Sequence, residues 1–242
     1  MDRDSPLYTS SWESARKSDE TTLWIKSHNA NCDCARDIEE AIGKNFDGKH
    51  LESDCAKGVI EQYGFHRVMW VLANTLKEKA WDGRFSKENQ EWAKAFFIPK
   101  DKCRNKFCVQ SHPAVLDGFI DVTREAWETL DLFDSSHCRQ GEDGMDYTNQ
   151  VVVLCPFSLK DQYKTPEDQL FFATGGFGCS PTARGRKVFG TFLKDGESSQ
   201  FHRSDFIGVI KEEFLPEWAV EKLQELLPPE ESTSEDMQMG GM

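Results

Sequence analysis

Apolar residues in this chain follow two rhythms. Up to about residue 133 they return every three or four positions, and from residue 150 they come in short runs separated by turn-forming residues. The first rhythm lays a stripe along a helix, and the second suits half-buried strands. In "DCARDIEEAIGKNF", Ala35, Ile38, Ala41, Ile42 and Phe46 share one helical side. "SDCAKGVIEQYG" offers Ser53 as N-cap, a stripe of Ala56, Val59, Ile60 and Tyr63, and Gly64 as the stop. Next comes "FHRVMWVLANTLKEKAWDG", with Phe65, Val68, Met69, Leu72 and Leu76 at helical spacing. "SKENQEWAKAFF" predicts a helix capped by Ser86, with Glu88 in the first turn where a carboxylate suits the helix dipole. The longest pattern, "SHPAVLDGFIDVTREAWETLDLF", predicts a helix capped by Ser111 with Pro113 in its first turn.

The segment "SSHCRQGEDGMDYTNQ" carries no periodicity, and a domain boundary is expected there, at residue 148. Beyond it "VVVLCPFSL", "QLFFATGGF", "RKVFGTFL" and "QFHRSDFIGVI" predict about four strands, and "PEWAVEKLQELL" an amphipathic helix. Asp195-Gly196 is a strong hairpin signal, since both residues tolerate the positive φ of a type I′ turn. A two-residue turn there opposes Lys194 to Glu197, Gly190 to Phe201 and Arg186 to Asp205. The expected fold class is therefore α+β. A helical domain spans 1–148, a small antiparallel β domain with a terminal helix spans 149–227, and an acidic tail expected to be disordered spans 228–242.

Composition narrows the function. The chain has 242 residues, 38% hydrophobic and 12% aromatic, enough to build a core without disulfide or metal staples. Its formal charge of −13 repels phosphates, so direct nucleic-acid binding is not expected without a local basic patch. The same charge suits docking on a basic partner, such as a nucleic-acid-binding protein. The polar start lacks the apolar core of a secretory signal, and no run is long enough to span a membrane. A cytoplasmic location with eight reduced cysteines is the expectation.

"GGFGCSPTARGRKVFG", residues 175–190, looks at first like a phosphate cradle. It fails the P-loop pattern, because Gly178 and Gly185 stand too far apart and Arg186 follows where Lys belongs. It fails the dinucleotide pattern too, with Pro181 in place of the third glycine. The stretch is expected to be a connector between strands. Its neighbourhood still supplies the candidate partner- or ligand-binding residues Arg184, Lys187, His202, Arg203 and Asp205. An enzyme here would draw on His202, Asp205 and Cys179. Cys103, Cys108, His112 and Cys138 have ligand types that zinc prefers, although the usual C-x-x-C pair is absent. No cofactor is expected.

The stretches "HLESDCAKGVIEQYGFHRVMWVLANTL", "WDGRFS", "SHPAVLDGFI" and "FATGGFGCSPTARGRKVFG" carry a resemblance. The chain resembles an uncharacterised domain-of-unknown-function family carried by conjugative elements, plasmids and phages of gut anaerobic bacteria. That family has no established catalytic or binding residues to carry over. The resemblance implies an accessory gene of a mobile genetic element, with anti-defence, host-takeover or transfer roles. The leading expectation is a non-enzymatic, acidic accessory protein that binds and modulates a protein partner, such as a host-defence or nucleic-acid-handling protein. The alternatives are an enzyme or ligand-binding protein with a site near residues 175–185, and a zinc-stabilised structural module.

Overall fold

The computed structural model describes residues 5–99, 107–139, 145–160 and 164–226. The chain divides into two compact units between Leu130 and Asp131. Helices fill the first, and a five-stranded antiparallel sheet with a terminal helix forms the second, as the α+β reading requires. The tail 228–242 lies outside the described residues.

The helical unit comprises α1 (Trp12–Lys17), α2 (Thr21–Asn45), α3 (Lys57–Glu78), α4 (Lys87–Lys94) and α5 (Pro113–Glu128). Its axis is α3, where every residue from Arg67 to Leu76 is buried. Ile38 and Ile42 of α2 and Leu116, Phe119 and Ile120 of α5 join Val68 and Leu72 of α3 in one apolar cluster. Gly64 interrupts α3 with φ 76° and ψ 155°, a left-handed conformation that glycine adopts without penalty. Ser86 caps α4 as its position predicts, its Oγ accepting the Asn89 N–H at 3.2 Å. Two expected caps are corrected. α3 starts after Ala56 rather than Ser53, α5 starts after His112 rather than Ser111, and neither start has a side-chain cap.

One cation sits inside this apolar unit. Arg67 is buried, and its Nη1 donates to the Ser27 carbonyl at 3.0 Å and to Asn31 Oδ1. Its Nη2 donates to the Ser5 carbonyl at 2.6 Å, fastening the N-terminal segment against α2. Tyr8 adds a second fastening, its N–H donating to Ser27 Oγ at 2.8 Å.

The sheet unit is a meander of β1 (Gln150–Leu154), β2 (Leu170–Gly175), β3 (Lys187–Phe192), β4 (Ser198–His202) and β5 (Phe206–Val209). The order is β4-β3-β2-β1-β5, with every pairing antiparallel. A 3-10 turn, Arg203–Asp205, splits the run expected as the fourth strand, so the sheet has five. The segment before β1 belongs to this unit. Arg139 N–H donates to the Val209 carbonyl at 2.8 Å and Tyr147 N–H to the Cys179 carbonyl at 3.0 Å. The second compact unit begins at Asp131, and the boundary expected from the sequence lies at residue 148.

Phe171 of β2 meets Phe192, Phe201 and Phe206 within 5.7 Å between ring centroids. Phe201 and Phe206 lie on opposite edge strands yet sit 5.9 Å apart, so the sheet curls strongly. The 3-10 turn Arg203–Asp205 leads from β4 to β5, which lies beside β1 at the other edge of the sheet. The opposite face packs Val151, Val153, Leu170, Phe172 and Leu193 against α6 (Glu217–Leu226) through Trp218, Ala219 and Leu223.

The β3–β4 register differs from the expected one by two residues. Val188 opposes Phe201 and Gly190 opposes Ser199. The turn is a four-residue loop, Leu193 to Gly196, closed by Gly196 N–H donating to the Phe192 carbonyl at 2.9 Å. A type I′ turn needs positive φ at two successive residues, and here Gly196 (φ 78°) takes it while Asp195 does not. None of the pairs expected from that turn forms. Lys194 instead meets Asp168 Oδ1 at 2.8 Å, and Arg186 donates to the Pro181 carbonyl at 3.4 Å. Gly190 answers to β2, because a Cβ there would stand 2.1 Å from the Phe172 carbonyl oxygen.

Candidate functional site

The glycine-rich stretch connects β2 to β3 and packs on itself. Gly176 has φ 103°, and a Cβ on Gly178 would lie 2.3 Å from the Arg186 carbonyl oxygen. At Gly185 a Cβ would come 2.7 Å from Cβ of Phe177. These glycines allow close approach of the connector to itself, and no helix follows to aim amides at an anion.

The polar cluster beside the connector is occupied by local bonding. Arg203 Nη1 donates to the carbonyls of Gly178 and Cys179, both at 2.8 Å, and Nη2 to the Met145 carbonyl at 2.7 Å. Its guanidinium lies 3.9 Å from the centroid of the Tyr147 ring. Arg203 is thus a clasp between the connector and the segment before β1. His202 N–H donates to Asp205 Oδ2 at 2.8 Å, and His202 Nδ1 accepts the Ser204 N–H at 3.3 Å. Histidine and carboxylate together cap the 3-10 turn. Cys179 is buried, its thiol donates to the Gly175 carbonyl at 3.1 Å, and burial pushes its pKa up. A protonated, enclosed sulfur is a poor nucleophile.

Arg184 and Lys187 are exposed with Arg186 between them, and His202 is exposed as well although its ring serves the 3-10 turn. Lys187 Nζ reaches Gln200 Oε1 at 3.3 Å, and among the described residues none of the three cations meets a carboxylate. Two rings that sequence reasoning did not single out stand with them. Phe177 is 78% exposed and Phe189 46% exposed. Gly176 packs close to the Phe189 ring, and Gly185 packs close to the base of the Phe177 side chain. The register places Lys187 beside His202 and Phe189 beside Gln200, on the sheet face whose other half α6 covers. From Gln169 to Lys194 the sequence has four cations and no carboxylate, and this run was the available signal.

The four zinc candidates are divided between the two units and the residues outside the description. Cys103 lies outside the described residues, Cys108 and His112 belong to the helical unit, and Cys138 belongs to the sheet unit. Burial raises the thiols of Cys108 and Cys138 to about 11, which disfavours the thiolate that zinc binds. Among the described residues no group of three or more His, Cys, Asp or Glu is placed to hold a metal ion.

Lys164 is the other unusual group of the sheet unit. It is buried, and desolvation lowers its amine to about 7. Below pH 7 both folded and unfolded chains carry this proton. Between pH 7 and the ordinary lysine range the unfolded chain binds more protons, so stability rises with pH. Buried thiols act oppositely at higher pH, so the informative quantity is the stability difference between Lys164→Met and the parent. That advantage should shrink from pH 7 to 9 by up to about 1.4 kcal/mol per pH unit. Urea denaturation across this range measures it; a constant difference counts against the lowered amine.

Taken by its fold, this is a two-part α+β protein, a helical unit joined to a small curled sheet that presents a basic, aromatic face. The chain belongs to the family described as Protein of unknown function (DUF3849), whose model matches residues 7–128, most of the helical unit. No curated protein and no solved structure matches the chain. Among the described residues no helix is long and apolar enough to cross a membrane.

Proposed function

We propose that the protein is a non-enzymatic accessory factor of a mobile genetic element, acting by holding a partner on the uncovered half of its sheet. One observation carries the reading: two exposed phenylalanines stand near three cations that meet no carboxylate among the described residues. Exposed aromatic residues beside cations are the groups that contribute most at binding surfaces. The nearby groups with catalytic potential support binding over chemistry, since His202, Asp205, Arg203 and Cys179 each serve a local structural bond. The mobile-element setting comes from the sequence resemblance.

A second reading keeps the basic protein partner suggested by the charge of −13. It would use the groove of about 600 Å³ between α2 and the start of α3, bordered by Asp37, Glu40, Glu52, Asp54 and Glu61. Capture from a host lysate with parent and Phe177→Ser/Phe189→Ser proteins separates the two. The first reading expects the captured species to vanish in the double variant. If the variant retains the same species as the parent, the sheet face is not the binding surface and the acidic groove takes precedence.

A further inference from the structure

We propose that the uncovered sheet face binds single-stranded nucleic acid, with bases stacked on Phe177 and Phe189 and phosphates met by Arg184, Arg186 and Lys187. This rests on the reading that the face is the binding surface and adds what it holds. The rings make the distinction between anionic ligands. Each packs against a glycine, and among the described residues neither pairs with another aromatic ring. Phe177 is 78% and Phe189 46% exposed, and an unpaired base has a flat side to offer such rings. Stacking of a base on an aromatic side chain contributes about 1–3 kcal/mol and tolerates any sequence. An acidic peptide would use the cations and leave two apolar rings without a role. A duplex keeps its base faces buried in its own stack.

Charge complementarity points the same way. The three cations come from one short connector and its strand, within the run from Gln169 to Lys194 that lacks carboxylates. The chain's overall charge of −13 opposes binding, but charges farther than about 8 Å are largely screened at physiological ionic strength. Affinity should consequently be modest and steeply dependent on salt. Three phosphate contacts to a single strand give a log–log slope of about −2. Gln200 on the edge strand β4, which accepts from Lys187, adds a side-chain amide for base edges without fixing a sequence.

The test is fluorescence anisotropy with a labelled oligothymidylate of about 15 nucleotides, near the upper end of the site sizes of small single-strand-binding domains. A duplex of equal length and a polyglutamate peptide serve as competitors, and the full chain is used throughout. The expected result is that the single strand binds and neither competitor displaces it at equal charge concentration. Phe177→Ser and Phe189→Ser should each weaken binding about tenfold, the loss of one stacked base. Because both rings are exposed, thermal melts should barely move. Arg184→Gln/Lys187→Gln should bring the salt slope to about −1, independent of any change at the rings. Displacement by polyglutamate, with ring variants binding like the parent, would assign the face to acidic peptides; that overturns this inference and leaves the proposed function standing. No binding of oligothymidylate at low salt overturns it as well, and the lysate capture then judges the face alone.

Discussion

Replacing Phe171 by alanine should cost the sheet unit about 3–5 kcal/mol, a large part of the stability of a small domain. Phe171 is fully buried, and its ring is the point where β2, β3, β4 and β5 meet. Truncation leaves a void bordered by Phe192, Phe201 and Phe206, rings held edge-on to one another and attached to three strands. Rigid neighbours of this kind cannot collapse into the space, so the cavity penalty adds to the lost burial. Phe189→Ala is the matched control. It removes the same ring from the outer face of β3, where half of it is already in water, and should cost less than about 1 kcal/mol. Denaturant titrations of the two variants give the comparison directly. Equal losses would mean that the four-ring cluster does not organise the sheet.

That contrast also marks what the sequence allowed to be read. Helices were legible because a 3.6-residue rhythm persists over long stretches, and α2, α3, α4 and α5 all formed where apolar stripes lay. Caps were less legible. Ser53 and Ser111 have the right chemistry, but the N-cap position falls three residues later in α3 and one residue later in α5. In the sheet the faces survived an error in register. A shift of two residues returns each side chain to its own side, so Val188, Phe192 and Phe201 still point into one core. What failed was the turn, whose type hung on the φ of Asp195, and with it every specific cross-strand pair.

His202, Arg203 and Asp205 are residue types that serve catalysis and equally serve caps and clasps. Only geometry showed that their polar atoms are committed to Ser204, to one another and to carbonyls of the connector. Phe177 and Phe189 were overlooked because apolar residues in a strand pattern read as core. Their exposure depends on what packs over them, and among the described residues α6 packs against the Phe172 half of the sheet. The compositional sign was a carboxylate-free run inside an acidic chain.

In the helical unit, Arg67→Met should be the most damaging single change at a polar position, with a loss of about 2–4 kcal/mol. Methionine fills much of the space of the arginine stem, so the cost does not arise from a cavity. It arises from acceptors left behind. The Ser27 carbonyl already lies within the hydrogen-bond ladder of α2, but Asn31 Oδ1 is buried and the Ser5 carbonyl turns toward the guanidinium. Each orphaned acceptor costs about 1–3 kcal/mol once it cannot return to water. Burial lowers the pKa of Arg67, yet the group stays charged, so the bonds it makes are charge-assisted. Arg67→Lys should recover part of the loss, since one ammonium cannot span acceptors from Ser5 and from α2 as a planar fork does. Two measurements identify the mechanism. Limited proteolysis should cut near residues 5–10 faster in Arg67→Met than in the parent, because the fastening at Ser5 is gone. Adding Asn31→Leu should then restore stability by removing the stranded amide, a non-additive recovery expected of residues in contact. If Asn31→Leu deepens the loss by its own full cost, the unpaired acceptor is not what destabilises the variant, and the arginine's contribution is packing alone.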